Sequence, residues 1–482
     1  MHFSVIARVL GLLMMIFSFT LVPPMLVSLL YQDGTLNAFL YALLITFGIG
    51  LVTWLPVHNH KQELKTRDGF VITVLFWLVL AFSGSLPLYL AESPGLSYTD
   101  AFFESLSGWT TTGATVITGL GDLPKSILWY RQQLQWLGGM GIIVLAVAVL
   151  PMLGIGGMQL FRAETPGPVK DSKLTPRITE TAKALWYIYL SLTIACAAAY
   201  WFAGMTLFDA IGHSFSTVAI GGFSTHDASL GYFNSPTIEA IAMIFMLISV
   251  LNFGLHFYAW KNKSIVHYFL DSEFKFLCWV LLGGAALTVS ALWLTETYTL
   301  SESFRHGLFQ LISVATTTGF GTSGFANWPV FLPVLLFMMA FIGGCAGSTG
   351  GGMKVIRILL IYKQGIREIR RLIHPNAIIP VKINKRPVND RVLESVWGFF
   401  SVYILTYMIM MIALLATGLD HVTAFSAVGA CLNNLGPGLG EVAAHYGDIS
   451  DVAKWILSIT MLLGRLEIFT FLVLISPAFW RN

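Results

Sequence analysis

The stretch Thr316-Thr317-Thr318-Gly319-Phe320-Gly321 follows a short apolar segment and lies between two long hydrophobic runs. Similar stretches occur four times, each with a glycine thirteen residues after an equivalent landmark. The four landmark and glycine pairs are Asp100 and Gly113, Asp209 and Gly222, His306 and Gly319, and Thr423 and Gly436. Each copy predicts a short helix that breaks into a glycine-containing loop between two apolar spans. We therefore expect four re-entrant pore loops.

Such loops are informative because backbone at membrane depth must satisfy its own polar groups unless it lines a wet or protein-buried cavity. A Thr/Gly stretch there predicts a permeation path. Glycine lets carbonyl groups turn inward, and a ring of carbonyls can replace the water shell of an alkali cation. Each preceding helix ends with roughly −0.5 of an elementary charge, so four converging ends would attract a cation.

Composition places the chain in a membrane. Of the 482 residues, 56% are hydrophobic and 11% are charged, whereas about 25% of a typical soluble domain is charged. Ten apolar runs are long enough for helices that cross about 30 Å of hydrocarbon. They lie near residues 5–30, 36–57, 70–91, 128–153, 184–204, 236–260, 274–295, 330–362, 393–418 and 453–476. We predict an all-α polytopic membrane protein.

The expected organisation is two N-terminal helices followed by four M1-pore-loop-M2 repeats, which form a pseudo-fourfold pore from one chain. The predicted boundaries are 1–66 for the two peripheral N-terminal helices, 67–160 for repeat 1, 180–265 for repeat 2, 270–365 for repeat 3 and 390–482 for repeat 4. Lys and Arg cluster in the loops near 58–69, 161–183, 261–275 and 354–391. By the positive-inside rule these loops and both termini are cytoplasmic.

The loop sequences show a specific resemblance to a known family. TTTGAT, IGGFST, TTTGFGT and LGPGLG, each in its own hairpin, resemble the Trk/Ktr/HKT superfamily of potassium transporters. The two extra N-terminal spans and the length resemble its TrkH/TrkG branch, and the resemblance covers essentially the whole chain. It implies a potassium-translocating pore subunit in a bacterial inner (plasma) membrane. In plant members a serine at the first glycine position goes with sodium transport, so four glycines favour potassium.

The predicted K+ filter takes three residues from each loop. They are Thr111, Thr112 and Gly113; Ile220, Gly221 and Gly222; Thr317, Thr318 and Gly319; and Asn434, Leu435 and Gly436. The loops differ from one another, so we expect an asymmetric filter. The alternative is that these glycines merely turn the chain.

A glycine-rich segment, residues 343–354, interrupts the second span of repeat 3. The predicted gate and pathway residues in it are Gly344, Gly347, Ser348, Thr349, Gly350, Gly351, Gly352 and Lys354. A phosphate-binding loop is excluded because no lysine directly follows the last glycine and no strand precedes the segment. In the family the segment resembles an intramembrane loop that gates the pore. A glycine hinge or close helix packing is the alternative.

Polar residues in the pore helices and the last span are further candidates. An ionisable residue at mid-span, such as Arg465, usually faces a cavity or a partner. The resemblance places Arg465 beside the pore below the filter, and an ion pair with Glu467 or a bond to a pore-helix carbonyl is the alternative. Glu104, His213 and Gln310 occupy equivalent positions in three pore helices, and we expect them to brace the filter by hydrogen bonds.

The leading functional hypothesis is a passive pore for K+, gated by the glycine-rich segment, with no nucleotide bound by this chain. A K+/H+ or K+/Na+ symporter is the alternative, with Glu104 and Glu467 as candidate carboxylates. A third possibility, a membrane enzyme, is ranked last because the sequence shows no metal cluster, catalytic triad or phosphate-binding loop. The resemblance implies a homodimer and a cytosolic TrkA-like nucleotide-binding partner. The basic segment 357–391 predicts contact with anionic membrane lipid or with that partner, and nothing indicates nucleic acid.

Overall fold

A computed structural model describes residues 1–59, 66–144, 178–329 and 331–481. The predicted end of repeat 1, most of the basic loop 161–183, and Lys61 and Lys65 lie outside these ranges. Among the described residues, six helices are long and apolar enough to cross a membrane, and two further helix pairs pass the same test with a sharp bend between them. The prediction of an all-α polytopic membrane protein is confirmed.

Two N-terminal spans stand apart from the repeats in sequence. The first consists of Phe3–Phe19 and Val22–Tyr31, and the second of Leu36–Trp54 with a 3-10 turn at Leu55–Val57. The spans pack closely where two glycines meet, since a Cβ on Gly11 would lie 2.7 Å from the carbonyl oxygen of Gly50. Small residues allow this approach between membrane helices.

Four repeats follow, each with an incoming helix, a pore helix and an outgoing helix. The incoming helices are Thr66–Leu90, Ile178–Phe202, Ser272–Leu294 and Asp390–Leu415. The pore helices are Tyr98–Trp109, Leu207–Ala219, Leu308–Ala315 and His421–Leu432, the third being preceded by Leu300–Glu302 and a π-helical turn at Ser303–Gly307. The outgoing helices are Lys125–Val144, then Pro236–Ser249 with Phe253–Lys261, Leu332–Ile342 with Val355–Ile373, and Asp451–Arg465 with Phe469–Ile475.

Short elements complete the described fold. These are 3-10 turns at Leu120–Asp122, Ser229–Phe233, Phe325–Asn327 and Gly440–Val442, helices at Val266–Leu270 and Pro477–Trp480, and an antiparallel hairpin of Lys382–Ile383 and Arg386–Pro387.

A side-chain cap starts the helical stretch that leads to each pore loop. Each capping oxygen accepts a hydrogen bond from the backbone amide three residues later, which satisfies one of the free amides at a helix start. The caps are Ser97, Thr206, Thr299 and Asp420. Hydrogen bonds from Thr423 also lower the pKa of the Asp420 carboxyl from its ordinary value.

The outgoing helices of repeats 2, 3 and 4 are all broken, although the sequence predicted a break only in repeat 3. The helix axis turns by 91° at residues 250–252 and by 114° at residues 466–468. The helices therefore occupy the spans expected near 236–260 and 453–476, but each contains a sharp bend that the sequence did not indicate. At the first break Asn252 caps the next helix through the Gly254 amide. At the second, Glu467 and Ile468 have φ of 56° and 53°, which a right-handed helix cannot contain.

Candidate functional site

The four predicted filter glycines lie next to one another in a closed ring. Neighbouring loops touch at four points, where a Cβ added to one glycine would meet an atom of another loop. These points are Gly113 at the Gly221 carbonyl oxygen, Gly222 at the Thr318 carbonyl oxygen, Gly319 at Pro437 Cδ, and Gly436 at the Gly113 carbonyl oxygen. The first loop thus contacts the second, the second the third, the third the fourth, and the fourth the first. We call this arrangement the glycine ring.

The backbone leaves each pore helix in the same way. In all four loops the amide directly before the ring glycine donates to a pore-helix carbonyl five residues earlier, with N to O distances of 2.8–2.9 Å. The pairs are Thr112 with Ser107, Gly221 with Ser216, Thr318 with Ser313, and Leu435 with Ala430. The sequence repeat is therefore also a repeat of hydrogen bonding.

Left-handed backbone recurs two residues before each ring glycine. The residues at this position, which we call the inner positions, are Thr111, Ile220, Thr317 and Asn434, with φ from 50° to 62°. Three ring glycines also have positive φ, from 81° to 85°. Alternation of backbone handedness turns successive amides towards one side and leaves successive carbonyls on the other. Such carbonyl rows suit a cation, while each left-handed non-glycine residue costs about 1–2 kcal/mol.

Polar side chains brace the outer part of the loops in three repeats, as predicted. Glu104 accepts from the Val116 amide at 2.9 Å and from Arg131 Nε at 2.7 Å. His213 Nε2 lies 2.8 Å from Ser224 Oγ. Gln310 Nε2 donates to the Ser323 carbonyl at 2.7 Å. Each braced residue follows its ring glycine by two to four positions, so these bonds hold the loops from the side.

Two side chains make the loops chemically unequal. Gln135 donates to the Gly221 carbonyl at 2.7 Å and accepts from the Phe223 amide at 3.0 Å. Tyr446 donates to the Gly436 carbonyl at 2.9 Å. Among the described residues, no side chain donates to the carbonyls of Thr112 and Gly113 in the first loop or of Thr318 and Gly319 in the third. An ion enclosed by the loops would therefore meet oxygens of different strength.

The glycine-rich segment lies against the end of the loops nearest the pore helices. It is non-helical and largely buried. The Gly351 amide donates to Thr317 Oγ1 at 2.8 Å, and the Gly352 amide donates to the Asn433 carbonyl at 3.0 Å. A Cβ on Gly351 would overlap that same carbonyl oxygen. The segment therefore fits this place only with glycine.

The same segment also contacts repeat 2. Thr349 Oγ1 donates to the Val218 carbonyl at 3.1 Å, and the Gly347 carbonyl accepts from the Phe253 amide at 3.1 Å, beside the break at 250–252. Within the segment, Lys354 Nζ donates to the Gly350 carbonyl at 2.6 Å and the Gly344 amide to the Gly351 carbonyl at 3.1 Å. Ser348 Oγ bonds the Cys345 carbonyl at 2.7 Å. The predicted gate residues thus form one compact unit.

Arg465 joins the first loop to the glycine-rich segment. Its Nη2 donates to Thr111 Oγ1 at 2.7 Å and to the Thr349 carbonyl at 3.2 Å, and the residue is 8% exposed. Glu467, the ion-pair partner considered from the sequence, instead accepts from Arg357 Nη2 at 2.7 Å. The buried guanidinium of Arg465 therefore lies directly beside Thr111, the inner position of the first loop.

Comparison with known proteins decides the family. A family model described as "TrkH: Cation transport protein" matches residues 35–482. The chain belongs to the TrkH family. It is 62% identical over 482 residues to the Trk system potassium uptake protein TrkH of Halomonas elongata, and 57% identical over 483 residues to that of Escherichia coli K12, with all of each chain covered.

A solved structure matches this TrkH-family chain over its whole length. The crystal structure of the potassium transporter TrkH from Vibrio parahaemolyticus is 56% identical and superposes with a TM-score of 0.93, and the match covers 100% of both chains. A TrkH-family chain is a cation transporter and not an enzyme. Within the described ranges, no three His, Cys, Asp or Glu side chains are grouped so that they could hold a metal ion.

In this TrkH-family chain the twelve predicted filter residues meet around one ring, and the predicted gate residues and Arg465 meet at its inner end. Sequence reasoning missed Gln135, Tyr446 and Arg131 as parts of the site. Arg131 and Gln135 are polar residues inside the predicted apolar span 128–153, and that is the signal that could have found them. Nothing in the sequence near Tyr446 marks it.

Proposed function

We propose that this protein is the ion-translocating pore subunit of a bacterial potassium uptake system. The observation that carries the proposal is the glycine ring, in which four loops of one chain contact one another in a closed circle. The relatives' names, which refer to potassium uptake, support K+ as the transported ion.

In this proposal backbone carbonyl oxygens select K+. The twelve filter residues contribute carbonyl groups that replace water around the ion, and the four pore-helix C-termini add a negative potential. The ring positions exclude side chains, which supports a path lined by peptide oxygens. Gln135 and Tyr446 bind two of these carbonyls, so selectivity is expected to be weaker than in a symmetric four-chain filter.

In this proposal the glycine-rich segment and Arg465 gate the pore. The segment closes the inner end of the ring, and its hydrogen bonds reach the loops of repeats 3 and 4 and the pore helix of repeat 2. Opening requires that these bonds break together, so the segment has to move as a unit. The helix Val355–Ile373 continues directly from it and carries Arg370 and Arg371 in its last turn, where a regulatory partner could act.

The proposed setting is the inner membrane, with both termini cytoplasmic and the pore loops entering from outside. We propose a homodimer that assembles with a cytosolic TrkA-like nucleotide-binding subunit. The relatives' names, which refer to a Trk system, support further components, and the resemblance supports their type. Regulation by nucleotide would then act through the partner.

Passive flow is favoured over ion-coupled symport because the two candidate carboxylates are both paired with arginines. Glu104 is paired with Arg131 at 2.7 Å, and Glu467 with Arg357 at 2.7 Å. Each carboxylate is already engaged in an ion pair with an arginine, so neither is free to bind a coupling ion along the pore.

Growth at low potassium tests substrate and partner together. The host is a bacterium without its own potassium uptake systems, transformed with this chain with or without a TrkA-like protein. We expect rescue that is stronger with the partner. Absence of rescue in both cases, with the protein present in the membrane, would contradict the proposal.

Planar bilayer recording tests the mechanism. Passive flow predicts unitary K+ current steps without a proton or sodium gradient. Flux that disappears when those gradients are removed would show a symporter instead.

A further inference from the structure

A cavity of about 470 Å³ lies between the helices Val355–Ile373 and Asp390–Leu415, at the end of Asp390–Leu415 that is remote from the pore helix His421–Leu432. Its size is within the range of about 300–1,000 Å³ typical of sites for small ligands. Five of the seven lining residues have polar or charged side chains, namely Gln364, Arg367, Arg371, Asp390 and Glu394. The other two are Leu393 and Trp397.

The cavity lies at the level of lipid headgroups. Residues 395–415 carry no charged side chain, and at 1.5 Å per residue these 21 residues span about 30 Å, the thickness of the hydrocarbon core. The hydrocarbon boundary therefore falls just after Glu394. Trp397 is 40% exposed, and tryptophan is enriched at membrane interfaces.

The lining offers charged groups of both signs to a ligand. Arg367 already pairs with Asp390 at 2.9 Å. The Arg371 side chain is 44% exposed and has one recorded ion pair, with Glu368 at 3.4 Å. Glu394 is exposed and has no recorded ion pair within the described ranges. A guanidinium and a carboxylate are thus both accessible from the cavity.

A buried polar atom indicates that the site is incomplete. Gln364 lines the cavity and is 9% exposed. Its amide nitrogen donates to Glu368 at 2.8 Å, but its Oε1 has no hydrogen-bond partner among the described residues. A buried acceptor without a partner is unfavourable, and a ligand that carries a hydrogen-bond donor would remove this cost.

We propose that this cavity binds the headgroup of phosphatidylethanolamine. The phosphate accepts hydrogen bonds from the Arg371 guanidinium, whose planar donors match phosphate oxygens. The primary ammonium donates to Glu394 and to Gln364 Oε1. A purely anionic headgroup would face Glu394 without a compensating donor, and a trimethylated ammonium has no N–H to donate. The site is separate from the ion path and does not depend on the proposed transport mechanism.

Native mass spectrometry of the purified full-length protein tests the proposal. The delipidated protein is offered equal amounts of phosphatidylethanolamine, phosphatidylglycerol and phosphatidylcholine with the same acyl chains. We expect preferential retention of phosphatidylethanolamine. Loss of one charge-assisted contact in Arg371→Gln or Glu394→Gln lowers this retention by about tenfold. Arg370→Gln, next to Arg371 on the same helix but outside the lining, leaves retention unchanged and is the control.

Three results would overturn the proposal. Phosphatidylglycerol retained as well as or better than phosphatidylethanolamine would show recognition of phosphate alone. Equal retention of phosphatidylcholine would show that the N–H donors are unimportant. A Glu394→Gln variant with wild-type retention would remove the ammonium site. If a variant does not elute as a folded protein, the proposal is judged on the comparison of the three lipids with the wild-type protein.

Discussion

Four residues with left-handed backbone precede the ring glycines, and only one of them, Asn434, is of a type that adopts this conformation readily. Ile220 is the least expected, because it is β-branched and has φ of 56°. Strained backbone of this kind persists where surrounding contacts hold it and tends to occur at functional sites. At Thr111 and Thr317 those contacts are hydrogen bonds from Arg465 and from the Gly351 amide.

Gly113→Ser should lower the ratio of K+ to Na+ permeability. Gly113 has φ of 81°, and any Cβ there would overlap the Gly221 carbonyl oxygen, so this oxygen must move out of the ring. We expect a drop of about tenfold, which corresponds to about 1.4 kcal/mol, in bi-ionic reversal potentials. Gly121→Ser is the control because a Cβ there meets nothing within 4 Å. An unchanged ratio in Gly113→Ser would exclude this glycine from the filter.

Arg465→Gln should increase K+ flux. A positive charge beside the ion path repels a cation there, and removal of about 1.4 kcal/mol of such repulsion corresponds to a tenfold higher rate. The substitution also weakens the link between Thr111 and Thr349. Flux of ⁸⁶Rb+ into proteoliposomes measures the effect, with Arg391→Gln at an exposed position as the control. Normal flux with lower thermal stability would show that Arg465 has a structural role only.

At the residue scale, the sequence predicted the ring glycines but not the left-handed backbone at the inner positions two residues before them. A fixed offset from a pore-helix landmark is visible in the sequence, since glycine is needed where backbones touch. The left-handed residues have no shared type, because the conformation is imposed by the bond from the next amide back to the pore helix. Likewise, Gln135 binds the Gly221 carbonyl from another repeat, and Tyr446 binds the Gly436 carbonyl ten residues before it. Neither contact follows from a local sequence pattern.

At the scale of elements, three broken outgoing helices surround the inner end of the ring. The break at 343–354 was predictable because it contains six glycines. The breaks at 250–252 and 466–468 contain neither glycine nor proline, so helix propensity gave no signal there. Both lie near the glycine-rich segment: the Val250 carbonyl accepts from the Cys345 amide at 3.0 Å, and Arg465 directly precedes the second break. Tertiary contacts with the segment accompany these breaks.

Deletion of 350–352 should raise open probability in single-channel recordings. It removes the amides that bind Thr317 and Asn433 and shortens the proposed gate. Gly351→Ala is a milder test, since its Cβ would overlap the Asn433 carbonyl oxygen, and it should shift gating in the same direction. Gly365→Ala, where a Cβ meets nothing within 4 Å, should behave as wild type. Wild-type open probability in both segment variants would exclude the segment as the gate.

The Arg357–Glu467 pair should stabilise the contact between the helix after the segment and the second break. Arg357 also stacks over Phe399, with 4.1 Å from Cζ to the ring centroid. Glu467→Gln should lower the free energy of unfolding by about 2 kcal/mol, less than the 3–5 kcal/mol of a fully buried pair, because the Glu467 side chain is 35% exposed. Thermal unfolding in detergent measures this, with exposed Glu441→Gln as the control. Equal melting temperatures for wild type and Glu467→Gln would show that the pair contributes little.

At the scale of the whole molecule, one chain supplies all four sides of the ring, so each side can carry a different residue. The four loops keep the same bond to the pore helix but differ in the side chains that hold their carbonyls. In the proposed mechanism, asymmetry also allows repeat 3 to provide the gate through its glycine-rich segment and repeat 4 to provide the buried Arg465. A symmetric tetramer could not divide these roles.

The central claim is that the four loops bind K+ together on one axis. Anomalous diffraction from crystals grown in Tl+, a heavy substitute for K+, tests it most directly. We expect an anomalous peak enclosed by the loops of Gly113, Gly222, Gly319 and Gly436, which decreases when K+ is added in excess. Strong Tl+ peaks elsewhere in the protein with none between these loops would contradict it.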